Sequence, residues 1–515
     1  MNPSNRLPTI GIIGAGTMGS GIALAALLAG AEVVLQDTYA PVLEKADGYI
    51  KKFLEKKDKL ALYANLTLTD TLDAFAHAGV VIEAAPERLE LKQELFAKLE
   101  AVCAPDAILA TNTSTLSVTA IAAMTQSPQR VAGMHFFNPA PVLPLVEVVR
   151  AAQSSPATID ALVALAEALG KTPVVTGDTP GFIVNRVARP FYGEALRLLG
   201  EGVASFETID QLVEQGAGFR MGPFRLMDLI GIDINAGAMR SMYEQTYGEP
   251  RYRPHWLQMQ KLAAGELGRK SGKGFYAYGD ADPTPEPPQP ASLQGEGNVL
   301  ISSGSFAPGL AGLAVTGGYV LSHELGDAPV AAFVAASQSE GAAAIVKGWD
   351  AALDASIPLL VQSADITLSE ARRWAKQPQR VFVFDGLFLD GSLVTVSGGD
   401  EAMRPQVEAV LAGLGRQAAW VNESPALVLP RIVCQLINEA SFAVLEGVGA
   451  AETIDLAMKL GVNYPRGLVE WGSQLGWPTV LAVLDHLYAE YHEERYRASV
   501  LLRRLARNTS TDERR

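Results

Sequence analysis

The sequence predicts an α/β fold, a parallel sheet wrapped in helices, followed by an all-helical domain, with the pair then repeated in a degenerate second copy. Three observations carry that reading. Short β-branched runs alternate with helical stretches from Thr9 to Thr176; the β-runs stop after Pro180; and the segment from Asp178 returns, ungapped, about 245 residues later.

The first set of runs is "TIGIIG", "EVVLQD", "VVIEAA", "AILATN", "RVAGMHFF", "LVEVV" and "TPVVT". Near-continuous apolar runs spaced by helices are what a sheet covered on both faces requires. The helical pattern from Phe182 closes at "GRKSGKGFYAYG", and "DADPTPEPPQPAS" from Asp280 is too rich in proline and acid to build a core. The repeat pairs "DTPGFIVNR…ETIDQLVEQGAGFRMG" with "ESPALVLPR…ETIDLAMKLGVNYPRG", and "SPQRVAGMHFF" with "QPQRVFVFDGLF". The expected domains are residues 1–181, 182–279, a linker over 280–297, a second sheet domain over 298–422, a second helical domain over 423–507 and a polar tail over 508–515.

Composition sets the class. With 515 residues, 48 % of them hydrophobic, the chain can bury several cores. A net charge of −14 disfavours nucleic acid and anionic membrane as partners. Two cysteines, Cys103 and Cys434, are too few for a disulfide framework and suit a reducing cytoplasm. "MNPSNRLPTIGIIG" lacks the pattern of a signal peptide, and no apolar run is long enough to span a bilayer. No metal is expected.

The first turn carries chemistry. In "GAGTMG", Gly14, Ala15, Gly16, Thr17, Met18 and Gly19 stand between a strand and a helix, as G-x-G-x-x-G. The first glycine permits the tight turn, the second lets backbone approach a pyrophosphate, and the third allows close helix–sheet packing. Asp37 ends the next strand, where a carboxylate accepts from ribose hydroxyls and repels a 2′-phosphate. A Rossmann-type domain binding NAD rather than NADP is the expectation.

His135 ends the run "RVAGMHFF", and Glu147 interrupts the valines and leucines of "PLVEVV". An acid in that setting needs a partner, and a histidine would serve. Paired, Glu147 fixes the imidazole tautomer, and His135 takes a hydroxyl proton while hydride leaves the same carbon.

The stretches "GAGTMG", "ATNTSTL", "GMHFFNPAP", "LVEVV", "DTPGFIVNR", "GAGFRMGPFRLMDLIG" and "KSGKGFY" together resemble the 3-hydroxyacyl-CoA dehydrogenase family over the first 280 or so residues. The resemblance implies His135 as general base with Glu147 as its partner, and Ser114 and Asn185 hydrogen-bonded near the reacting oxygen. It implies Asn138 near the nicotinamide, and Glu87, Lys92 and Lys270 as further cofactor contacts. Lys52 and Lys59, in and after "IKKFLEK", are candidates for the CoA phosphates; a solvated helix face is the other reading of the same lysines.

In the second copy, His135 is answered by Asp385, Ser114 by Ala364, Glu147 by Thr395 and Asn185 by Pro430, and no G-x-G-x-x-G opens it. That loss suggests a structural role, and the resemblance, to a family whose helical domains pair between subunits, implies that here the two pair within the chain, with a homo-oligomer still open. The expected activity is NAD-dependent oxidation of a 3-hydroxyacyl-CoA. The two-lobed form without a hydratase module resembles the bacterial enzymes of phenylacetate breakdown, which act on 3-hydroxyadipyl-CoA; 3-hydroxybutyryl-CoA is the competing substrate. A scaffold that binds NAD without chemistry is the alternative of another class.

Overall fold

The computed structural model describes residues 7–279, 295–302, 307–322, 329–338 and 341–512. Most of the expected linker, the start of the second copy at 303–306 and the last three residues lie outside them. Helix Val500–Asp512 runs into the segment expected as a tail. Among the described residues no helix is long and apolar enough to cross a membrane.

Compactness groups the chain into two units that do not follow sequence order. One comprises residues 1–187 with 443–467, the other 188–442 with 468–515.

The first unit is built on eight strands: β1 (Ile10–Ile13), β2 (Val33–Gln36), β3 (Leu66–Thr69), β4 (Val80–Glu83), β5 (Ile108–Thr111), β6 (Val131–Phe136), β7 (Leu145–Arg150) and β8 (Thr172–Gly177). Their order is β3-β2-β1-β4-β5-β6-β7-β8. β1, β4 and β6 are buried along their whole length, as strands covered on both faces must be. The sheet departs from the parallel expectation at one place: β7 runs antiparallel to β6, and β8 then parallel to β7. The twelve or so residues between His135 and Glu147 hold no crossover helix, so the chain can only turn back. β3, at the sheet edge and nowhere fully buried, was not legible among the apolar runs.

Helix Thr17–Leu28 follows β1 directly and buries Ile22, Ala23, Leu24, Ala26 and Leu27 in the sheet core. Helix Ala40–Lys56 buries Ala46, Ile50 and Leu54, one face at a four-residue spacing, and leaves Lys52 exposed. Ser117 and Ser155 cap the helices at Val118–Ala122 and Pro156–Ala168, each accepting a backbone N–H three residues on. Helix Ala451–Val462, from the far end of the sequence, packs on β7, β8 and the short helix Val184–Val187.

The second unit contains a seven-stranded sheet: β9 (Asn298–Ile301), β10 (Val320–Ser322), β11 (Ala331–Val334), β12 (Leu359–Gln362), β13 (Val381–Phe384), β14 (Leu393–Gly398) and β15 (Gln417–Trp420). Its order, β10-β9-β11-β12-β13-β14-β15, is that of β2-β1-β4-β5-β6-β7-β8, with β13 and β14 again antiparallel. The strand order of the first sheet, without its edge strand β3, thus repeats in the second.

Helices fill the rest of this unit. Helix Leu429–Leu445 is buried almost throughout, so its polar residues must find partners inside. Arg431, fully buried, donates to Glu194 Oε2 at 2.9 Å, to Glu201 Oε1 and Oε2 at 2.9 and 2.7 Å, and to the Tyr491 and Tyr496 hydroxyls, both at 2.9 Å. A guanidinium so surrounded offsets its desolvation through planar, charge-assisted bonds.

Candidate active site

The glycine-rich turn divides its labour as the spacing requires. Gly14 holds φ +89°, and a Cβ there would stand 2.7 Å from the Ala84 carbonyl oxygen. A Cβ on Gly19 would collide with the Gly14 carbonyl, which is the close helix–strand approach. At Gly16 a Cβ would meet nothing within 4 Å: the exposed face of this turn is open. Asp37 ties the two halves together, accepting the Ala15 N–H at 2.9 Å on one oxygen and the Tyr39 N–H at 3.0 Å on the other. Open space over Gly16, the N-terminus of a twelve-residue helix and a carboxylate at the end of β2 fit a dinucleotide's pyrophosphate and ribose.

β6 and β7 place His135 and Glu147 as direct cross-strand partners. His135 Nδ1 lies 2.7 Å from Glu147 Oε2. A carboxylate only accepts, so Nδ1 carries the proton and Nε2 is left as the basic nitrogen. Glu147 is fully buried, and its other oxygen, Oε1, accepts the backbone N–H groups of Ile183 at 3.0 Å and Val184 at 2.9 Å. These two donors were not foreseen from sequence, since backbone groups leave no residue-type signal. The turn that aims them passes through Gly181 (φ +75°) and Phe182 (φ +49°), and the left-handed Phe182 is the unusual one. Phe137 and Phe182 set their rings 4.5 and 5.9 Å from the imidazole.

Ser114 and Asn185 are brought together, through backbone rather than hydroxyl: Asn185 Nδ2 donates to the Ser114 carbonyl at 3.3 Å. Asn138 is exposed in the loop that follows β6. Asn112, unremarked in the sequence, accepts the Phe136 N–H at 2.8 Å and so fixes the backbone beside His135.

Glu87 receives the backbone N–H groups of Ser114 at 3.0 Å and Thr115 at 3.2 Å. Burial alone would raise its carboxyl, but Lys92, the Thr113 hydroxyl and the Ser114 N–H together hold it below the usual range. Lys92, expected as a cofactor contact, is only 1 % exposed, and its ammonium is engaged by Glu83 Oε1 at 2.6 Å, Glu87 Oε2 at 3.3 Å and the Ala85 carbonyl at 3.3 Å. Its donors are taken up within the protein. Glu83 itself was missed; the acid closing the apolar run "VVIEAA" nine residues before Lys92 was the signal for it. Thr111 donates to its second oxygen at 2.7 Å.

Lys270 is not part of this unit. It lies with the second, where its ammonium is 2.6 Å from Asp233 Oδ2. Lys52 and Lys59 are exposed, as both readings of them require.

Comparisons with known proteins give the family. The sequence profile described as "3-hydroxyacyl-CoA dehydrogenase, NAD binding domain" matches residues 9–179, and that of the family's C-terminal domain matches twice, over residues 181–278 and 427–514. The chain is 38 % identical to the 3-hydroxyadipyl-CoA dehydrogenase of Escherichia coli strain K12, over 97 % of this chain and 98 % of that one. It is 42 % identical to a probable 3-hydroxybutyryl-CoA dehydrogenase of Bacillus subtilis, a relative that spans 53 % of this chain. A crystal structure of an Escherichia coli K12 protein titled 3-hydroxybutyryl-CoA dehydrogenase superposes with a TM-score of 0.80 at 36 % identity, covering 98 % of this chain and all of the other. The cofactor of the first domain is NAD, and the chain belongs to the 3-hydroxyacyl-CoA dehydrogenase family.

Proposed function

We propose that the chain oxidises an (S)-3-hydroxyacyl-CoA to the 3-oxoacyl-CoA, with His135 as the general base. The observation that carries this is the His135–Glu147 pair, 2.7 Å apart, at the strand end beside the turn that carries Asn185. His135 Nε2 removes the C3 hydroxyl proton; Glu147 stabilises the imidazolium that results, and is held in place by the Ile183 and Val184 N–H groups. Gly14–Gly19 would hold NAD, which would supply the acceptor for the hydride from C3. Ser114 and Asn185 orient the hydroxyl and stabilise charge on its oxygen as the carbonyl forms. Glu87, Asn138 and Asp37 are cofactor contacts in this reading, and Lys52 and Lys59 its candidates for the CoA phosphates.

The substrate proposed is 3-hydroxyadipyl-CoA, on the strength of the full-length relative that bears that name. The full-length structural relative titled for 3-hydroxybutyryl-CoA supports the second reading. NADH oxidation with 3-oxoadipyl-CoA and with acetoacetyl-CoA, compared under identical conditions, separates them. Failure to oxidise either would end the acyl-CoA reading.

The second copy, in this reading, has lost its site and serves structure, and the domains follow the sequence boundaries given above, except that the last helix runs on to Asp512. Its helical part pairs with the first within one chain. The support is reciprocal: Arg431 with Glu201 in one place, and Arg186 with Glu446 Oε2 at 2.8 Å in another, are the same two sequence positions exchanged between copies. Tyr496 with Glu194 and Tyr252 with Glu439 repeat the exchange. Such reciprocity is what a self-complementary interface produces. Both cysteines are buried and free, which suits a cytoplasmic protein.

A further inference from the structure

Gly216 and Gly461 occupy one position in the two helical repeats, in "EQGAG" and "KLGVN". Neither has a positive φ; each is required by what lies where a Cβ would go. At Gly461 that Cβ would stand 2.7 Å from Leu145 Cδ2 and 3.1 Å from Val184 Cγ2. At Gly216 it would stand 2.7 Å from Leu429 Cδ1 and 3.2 Å from the Leu393 carbonyl oxygen. Leu393 begins β14 as Leu145 begins β7, and Leu429 answers Val184 in the repeat.

The two glycines therefore make the same contact, each against the other copy, yet their neighbours differ in consequence. Leu145 lies two residues before Glu147 on one face of β7. Val184 gives Glu147 Oε1 one of its two backbone donors. Nothing comparable depends on Leu393 and Leu429, because Thr395 and Pro430 stand where Glu147 and Asn185 would.

The rest of segment 443–467 reaches the same turn. Glu446 holds Arg186, the residue after Asn185, at 2.8 Å. The Val448 carbonyl accepts the Thr176 hydroxyl at 3.1 Å, and a Cβ on Gly449 would touch Ile183, Glu147's other donor, at 3.4 Å. All these residues belong to one compact unit.

We propose that segment 443–467, through Gly461 and Glu446, positions the His135–Glu147 pair: it fixes the turn whose Ile183 and Val184 N–H groups hold Glu147 Oε1, and so aims Oε2 at the imidazole. Gly461 and Glu446 are positioning residues that touch no substrate. The contact is structural in itself; only its kinetic consequence rests on the dehydrogenase reading.

The test uses the full chain, with Gly461→Ala, Glu446→Ala, Gly216→Ala and His135→Gln. Two readouts are taken: the downfield proton resonance of the His135–Glu147 hydrogen bond, assigned by its loss in His135→Gln, and kcat and KM for NADH with acetoacetyl-CoA. Gly461→Ala is expected to move or broaden the resonance and to lower kcat about tenfold or more, with KM for NADH within about twofold of wild type. Glu446→Ala should move both in the same sense by less. Gly216→Ala, an equally tight insertion on the inactive side, should change neither. Adding Leu145→Val, which clears the atom the new methyl meets, should recover part of the loss. Unchanged resonance and kcat in both Gly461→Ala and Glu446→Ala would overturn the proposal. Should Gly461→Ala not fold, the half-exposed Glu446→Ala decides alone. A wild-type chain without turnover would remove the dehydrogenase reading and leave the resonance to decide this one.

Discussion

Asp385 donates its backbone N–H to the Thr395 carbonyl at 3.0 Å, and so stands opposite Thr395 as His135 stands opposite Glu147. The second sheet thus keeps the ladder position of the His135–Glu147 pair, with Asp385 and Thr395 in its place. Asp385 Oδ1 accepts the Leu387 N–H at 3.0 Å, but Oδ2 and the facing Thr395 hydroxyl are both buried without a hydrogen bond among the described residues.

Burial pushes the Asp385 carboxyl up from the usual 3.8 to about 7, against the opposing pull of the Leu387 and Phe388 N–H groups. A folded value above the unfolded one means stability present at low pH and lost as pH rises through about 7. Wild type should therefore lose roughly 3 kcal/mol between about pH 5 and pH 8 from this group. Thermal unfolding across that range should show the loss, and Asp385→Asn should remove this group's share of it without changing turnover, leaving the share of Asp210, which burial also pushes up to about 7.

His135→Gln should keep NADH affinity and lose about a thousandfold in kcat, since a general base contributes on that order. Glu147→Gln should cost about a hundredfold, because the imidazolium loses its counter-charge while Nε2 remains. Single-turnover rates beside an NADH fluorescence titration check both.

Gly16 and Gly19 should fail differently. Gly16→Val adds a side chain where nothing lies within 4 Å, so it should fold normally and weaken NADH binding about tenfold or more, as the pyrophosphate is pushed away. Gly19→Ala meets the Gly14 carbonyl and should lower Tm by several degrees before affinity is considered. Calorimetry with and without NADH separates the two effects.

Lys92→Met leaves Glu83 buried without its ammonium, and should destabilise by about 3–5 kcal/mol. Chemical denaturation reads it, and Glu83→Gln combined with Lys92→Met should restore most of the loss.

The residues proposed to do chemistry stand out because each breaks the pattern around it. His135 and Glu147 interrupt apolar strands, and Gly14, Gly16 and Gly19 sit where a strand gives way to a helix. Such conflicts between local pattern and residue type are written in the sequence, and so was the order of sheet, helices, sheet and helices. The resemblance implies Lys92 as a cofactor contact, and a lysine in a helix gives no sign of whether its ammonium meets solvent or, as here, a buried carboxylate. The reversal of β7 was hidden because apolar runs carry no direction.

What only the tertiary structure decided are the contacts made by groups without a sequence signature or by residues far apart in the chain. Two backbone N–H groups orient Glu147, and Gly461, far along the chain, packs against Val184, the bearer of one of them. A sequence specifies which side chains must be buried and which turns are possible. Which distant surfaces fill the remaining space is settled by close packing, where a single hydrogen atom in place of a methyl lets one helix approach a strand.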